Sequence, residues 1–297
     1  MSFLIAQWEL PENGLMRVIG EQAGKLVKEC EHANEDPAAF AHKARVRCKK
    51  IRAALRLAAP LMGKKEYARE NRWWRDSARE LSGLRDVSAR IEALEALRPF
   101  LTARIGTAMM RRLTERFEKE RRATDAGPAV AAFCQRVKKR RRDLTPDLGP
   151  SGRELMAGAL SDTYREARKT MKAALKKRDP ILLHEWRKQT KYHALQTRLM
   201  RMLFPEMLQA RTGTARELAE LLGTAQDIEI VLQAAEGWEG APDGFFDALK
   251  DRREALINEA EKAGKKLFSD KPRDWAAATL QGEAQHALDR EEVEADL

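Results

Sequence analysis

The chain has 297 residues, of which 43% are hydrophobic and 34% charged, and its formal net charge is +10. This balance excludes a disordered polar chain, and the length suffices for one large domain or two ordinary ones with substantial cores. An excess of cations favours an acidic partner: nucleic acid, anionic lipid or another polyanion.

In chain order, residues 1–10 are apolar but have no basic start and break at Trp8-Glu9. They read as a short extended piece rather than a signal peptide. No run approaches the ~18 apolar residues of a bilayer span, so the cytoplasm is the expected compartment. Cys30, Cys48 and Cys134 are odd in number and lack CxxC spacing, so they read as unpaired, buried or incidental thiols. Proline then punctuates segments rich in Ala, Leu, Glu, Lys and Arg. Period-two alternation is scarce, and the predicted elements are all helices. They fall at about 14–33, 38–59, 64–98, 100–125, 128–143, 152–178, 181–203, 209–236 and 243–268, with a bend at Ser82-Gly83. The breaks between these long helices are short, which implies antiparallel neighbours packed as a bundle. Residues 277–297 turn acidic and read as a loosely docked tail.

The second predicted helix carries the clearest signal. His42, Arg45, Lys49, Arg52 and Arg56 share an arc of roughly 80° at about 100° per residue. Lys43, Arg47 and Lys50 flank the arc, and no acid lies between Lys43 and Arg56. Like charges three and four residues apart repel by roughly 0.2–0.5 kcal/mol per pair. A row without an internal counter-charge points to an external polyanion. A second copy lies 142 positions later: His184, Arg187, Lys191 and Arg198 match His42, Arg45, Lys49 and Arg56, while Ala194 stands in place of Arg52. Lys188 extends that row. Asp36-Pro37 matches Asp179-Pro180, each reading as an N-cap aspartate with proline in the first turn. Leu81-Ser-Gly-Leu-Arg-Asp86 matches Leu222-Gly-Thr-Ala-Gln-Asp227, and Pro99 matches Pro242. The offset stays between 141 and 143 across these pairs, which implies an internal duplication: repeat one at about 14–125, a basic connector at about 126–151, and repeat two at about 152–268.

Two further cationic rows admit two readings each. Arg72, Arg75 and Arg79 either line the same groove or solvate a helix face. Arg136–Arg142 is either an added phosphate contact or a solvated helix end whose cations suit the C-terminal dipole. His42 and His184 are either structural groups near helix starts or donors to phosphate. Neither sits in an HExxH or a cysteine cluster, so no metal site is expected. Asp86 and Asp227 are lone carboxylates, which orient cations or cap helices rather than form an acid–base pair.

These motifs together resemble the CHAD family, the conserved-histidine α-helical domain, over about residues 14–268. The carriers are His42-Lys-Ala-Arg45 with Lys49, Lys50 and Arg52, then Leu81–Asp86, Leu183-His184-Glu-Trp-Arg187 with Lys191, and Leu222–Asp227. The resemblance implies an all-α fold of two pseudo-symmetric four-helix bundles with a central basic groove or pore. It further implies non-catalytic binding of inorganic polyphosphate, without a cofactor, and association with polyphosphate granules. Sulfate or phosphate could stand in for that ligand. The Glu-x-Glu-x-Lys motif of the triphosphate-tunnel domain fused to some relatives is missing, which reads as a stand-alone CHAD protein. The candidate polyphosphate-binding residues are His42, Arg45, Lys49, Lys50, Arg52, Arg56, Arg75, Arg79, His184, Arg187, Lys188, Lys191 and Arg198. Tyr192, Ala194 and Gln226 stand where basic residues are usual, so the first repeat should dominate. The rival readings are a nucleic-acid binder or a polyanion-dependent scaffold, and further off a phosphohydrolase. Aromatics do not interleave with the basic runs, and no P-loop or paired carboxylates appear.

Overall fold

A computed structural model describes residues 3–122, 125–142, 153–237, 241–272, 274 and 275; of the side chains, those of 82–88, 122, 141–142 and 153 lie outside the description. The acidic tail at 277–297 also lies outside it. The described residues form ten helices and no strand: α1 (Pro11–Glu29), α2 (Pro37–Met62), α3 (Lys64–Glu80), α4 (Ser82–Ala96), α5 (Arg98–Arg122), α6 (Gly127–Arg142), α7 (Arg153–Lys177), α8 (Pro180–Met200), α9 (Pro205–Ala234) and α10 (Phe245–Leu267). Among them no helix is long and apolar enough to cross a membrane.

The two Asp-Pro starts behave as the residue types dictate. Asp36 accepts from Ala39 N at 3.0 Å, and Asp179 accepts from Ile181 N at 2.9 Å and Leu182 N at 3.1 Å. Each aspartate satisfies amides left orphaned in the first turn. The predicted 64–98 helix divides at Leu81, whose φ of −87° and ψ of 10° separate α3 from α4. The predicted 100–125 helix is interrupted at Gly106, with φ 71° and ψ 166°, a conformation only glycine reaches at little cost. Residues 3–10 form no strand; they run through bends at 3, 4 and 9 and a turn at 7 and 8. Glu9 folds back to accept from Ala6 N at 2.8 Å and pairs with Arg17, while Ile5 N donates to Leu199 O at 2.9 Å. Phe3 and Ile5 are thereby buried.

Helices α7, α8, α9 and α10 pack in succession, as do α1, α2 and α3, and α4 packs on α5. The halves are then knit together, because α2 lies against α7 and α8, and α4 against α9. At the α2–α8 crossing, Gln196 Nε2 donates to Ala53 O at 3.1 Å, an approach permitted by the small Ala53 and Ala54. Trp186, fully buried, fills the space between α7 and α10 so tightly that a Cβ on Gly264 would lie 2.8 Å from Met171 Sδ and 2.9 Å from the indole ring.

The connector supplies α6, which buries Val130, Phe133 and Val137 against the first half. It also corrects the reading of the cysteines. Cys30 of α1's C-cap and Cys134 of α6 form a disulfide, with Cα atoms 5.6 Å apart across 104 positions of sequence. No local spacing announces a pair so distant in the chain. Cys48 alone remains a thiol; it is buried in the core, and burial pushes its pKa up to about 12.

Candidate functional site

The stripe on α2 and its copy on α8 come together because both helices are amphipathic and adjacent, each burying one face and turning its cations along the seam. A cleft of about 720 Å³ opens there. Helix α2 contributes His42, Arg45, Lys49 and Arg52; α3 contributes Arg75 and Arg79; α8 contributes Arg187 and Lys191. Among the described residues the acids in the lining are Glu92 from α4 and Asp227 from α9. A second cleft of about 530 Å³ adjoins it. Val46, Lys49, Lys191 and Asp227 line both, so the two form one trough with a waist. Lys50 and Arg198 belong to the second cleft.

Several cations are held from behind. Arg45 Nη1 donates to Ala78 O at 2.8 Å, and Arg52 Nε donates to Asn71 Oδ1 at 2.9 Å. Both contacts tie α2 to α3. His42 Nδ1 lies 3.1 Å from Glu92 Oε1. Gly223 of α9 lies beside the Arg187 guanidinium, whose Nη2 would make an ordinary 3.6 Å contact with a Cβ at that position. Burial, with the neighbouring Arg56 and Arg75, lowers the pKa of Arg52; burial, with Arg198, Arg47 and Lys25, lowers that of Lys50. Like charge is therefore concentrated around these two side chains.

Three of the thirteen expected residues, Arg56, Lys188 and His184, line neither cleft. Arg56 is turned onto the Tyr192 ring at 3.8 Å and donates from Nη1 to Gln189 Oε1 at 3.0 Å. It is a strut between α2 and α8, and Tyr192, an unexplained departure in the sequence, is its seat. Lys188 pairs with Glu185 within its own helix, and His184 Nδ1 faces Gln226 Oε1 at 3.3 Å. Lys50 reaches the trough but also lies over the Phe3 ring, 5.6 Å from its centre.

Three cations of the basic runs find internal partners. Arg47 binds Glu29 and donates to Gln22 Oε1 at 3.2 Å, both on α1. In the Arg136–Arg142 run, Arg136 pairs with Glu80 and Arg140 with buried Glu70. These two ion pairs hold α6 to α3, so that part of the run braces the wall behind Arg75 and Arg79. Sequence reasoning missed Val46 and Glu92 as lining residues, since an apolar residue inside a cationic run and an acid on another helix carry no joint signal in one dimension. The Asp86 side chain lies outside the described residues. Among the described residues, no three His, Cys, Asp or Glu side chains converge to hold a metal ion.

The CHAD domain matches this chain over residues 17–236, a span that contains α2, α8 and every residue of the trough. The chain belongs to the CHAD family. No curated protein is significantly similar to it. Within this CHAD domain α2 and α8 pack on one another and both line the first cleft, and α10 packs on α9 beyond the matched span.

Proposed function

We propose that this CHAD protein binds inorganic polyphosphate along a basic groove formed by the two clefts, without transforming it. We take the sequence repeats as approximately twofold-related bundles, each giving one cationic helix to the groove. The observation that carries the reading is the convergence of Arg45, Lys49, Arg52, Arg75, Arg79, Arg187 and Lys191 on one cleft from three helices and both repeats. Arginine can grip phosphate oxygens through two parallel donors, and lysine supplies a mobile point charge. A mixed row therefore suits a flexible chain of phosphates with no fixed register. Binding releases counterions, so affinity falls steeply with salt. Longer chains bind more tightly because each further contact is intramolecular. Granule association would follow from that affinity.

The test is calorimetry with long-chain polyphosphate at low salt, followed by competition with duplex DNA at equal phosphate concentration. Heat of binding with poor displacement by DNA is expected. No heat ends the proposal, and full displacement by DNA turns it into a general polyanion site.

A further inference from the structure

The two clefts occupy corresponding places on the repeats but differ in chemistry. Arg75 of the first cleft corresponds to Arg216 of the second, both on the helix that follows the stripe, at an offset of 141. Two other first-cleft arginines are replaced. Arg52 corresponds to Ala194, and Arg79 corresponds to Glu220, which accepts from Arg216 Nε at 2.9 Å. What remains is a floor of Val46, Ala194, Leu195 and Ala219. The cations that line it are Lys49 and Lys191 at the waist, Lys50 and Arg198 beside them, and Arg216, which is held by Glu220. An inorganic phosphate chain gains nothing from an apolar floor. A ligand with an anionic chain at one end and a planar apolar body at the other uses both parts.

We propose that the second cleft takes the base and sugar of a nucleoside 5′-polyphosphate whose phosphates pass Lys49 and Lys191 into the first cleft. The volume of about 530 Å³ suits a small organic moiety. The small side chains of Ala194 and Ala219 offer a flat surface for a ring, and Arg198 can stack its guanidinium plane on the opposite face. The rim supplies groups for the polar edges of a base or sugar: Thr212, Thr224 and Glu220. That rim also disfavours a long acyl chain, which needs a continuous apolar wall. The proposal rests on the reading that the cations of the waist and first cleft hold phosphate.

The experiment compares adenosine 5′-triphosphate with inorganic tripolyphosphate by calorimetry on the full chain, at low salt with chelator present. Apolar burial of the base predicts that the nucleotide binds about tenfold more tightly than the inorganic chain of equal phosphate count. Ala194→Arg, which refills the stripe, should erase that preference while strengthening tripolyphosphate binding. Leu195→Asn should lower nucleotide affinity alone. Equal affinity of the two ligands for the wild-type chain overturns the nucleotide proposal and leaves the polyphosphate reading standing. Failure of both ligands and of long-chain polyphosphate to bind overturns both.

Discussion

Lys49 and Lys191 are the sharpest place to perturb the trough, since each lines both clefts. Lys49→Gln with Lys191→Gln removes two charges and keeps most of the side-chain volume. A hydrogen bond to a charged group contributes about 1.5–3 kcal/mol. Taking the low end because both lysines are partly solvated, the pair accounts for about 3 kcal/mol, or roughly a 150-fold rise in Kd. Charge loss makes a second, independent prediction. Each phosphate contact on a flexible single strand contributes about 0.7 to the slope of log K against log salt. The double variant should therefore show a slope shallower by about 1.4. The assay is calorimetric titration with long-chain polyphosphate across ~50–200 mM salt, with circular dichroism as a check on helix content. If affinity drops while the salt slope stays put, the lysines shape the cleft rather than neutralise phosphate, and the electrostatic reasoning is wrong.

The remaining predictions concern the frame. His193 is fully buried among Tyr164, Phe268 and Trp275, its two ring nitrogens lack hydrogen-bond partners, and burial lowers its pKa to about 3. Because the unfolded value is higher, its contribution is complete above pH ~6.5 and is lost as pH falls, by up to about 1.4 kcal/mol per unit. Thermal melts from neutral to acid pH should show a shallower acid loss for His193→Phe than for wild type, and parallel curves would refute the assignment. Cys30→Ser should lower the unfolding free energy in denaturant titrations by about 2–5 kcal/mol, with no further loss on adding reductant. Gly264→Ala gains about 1 kcal/mol in helix propensity but drives a methyl into the Trp186 ring. Overpacking at about 1–3 kcal/mol should win, giving a lower melting temperature; an unchanged or raised one would show that the ring yields.

Much of this molecule was legible because its signals are periodic and local. The stripes on α2 and α8, the aspartate caps and the constant offset each need only a short window of sequence, and the helices follow their residue types. What stayed hidden depends on distance. The Cys30–Cys134 pair spans 104 positions, and no pattern ties Arg140 to Glu70 or Arg47 to Glu29. Arg56 shows the limit most clearly. On a helical wheel it is a full member of the cationic row, yet Tyr192 on a neighbouring helix offers an aromatic face, and the guanidinium stacks there. Gly106 illustrates another limit: the same residue inside a helix-favouring run can be tolerated or can break the helix, and packing decides which.

The cross-packing of α4 on α9 and of α2 on α7 couples the N-terminal helices to the C-terminal ones, so neither group should loosen without the other following.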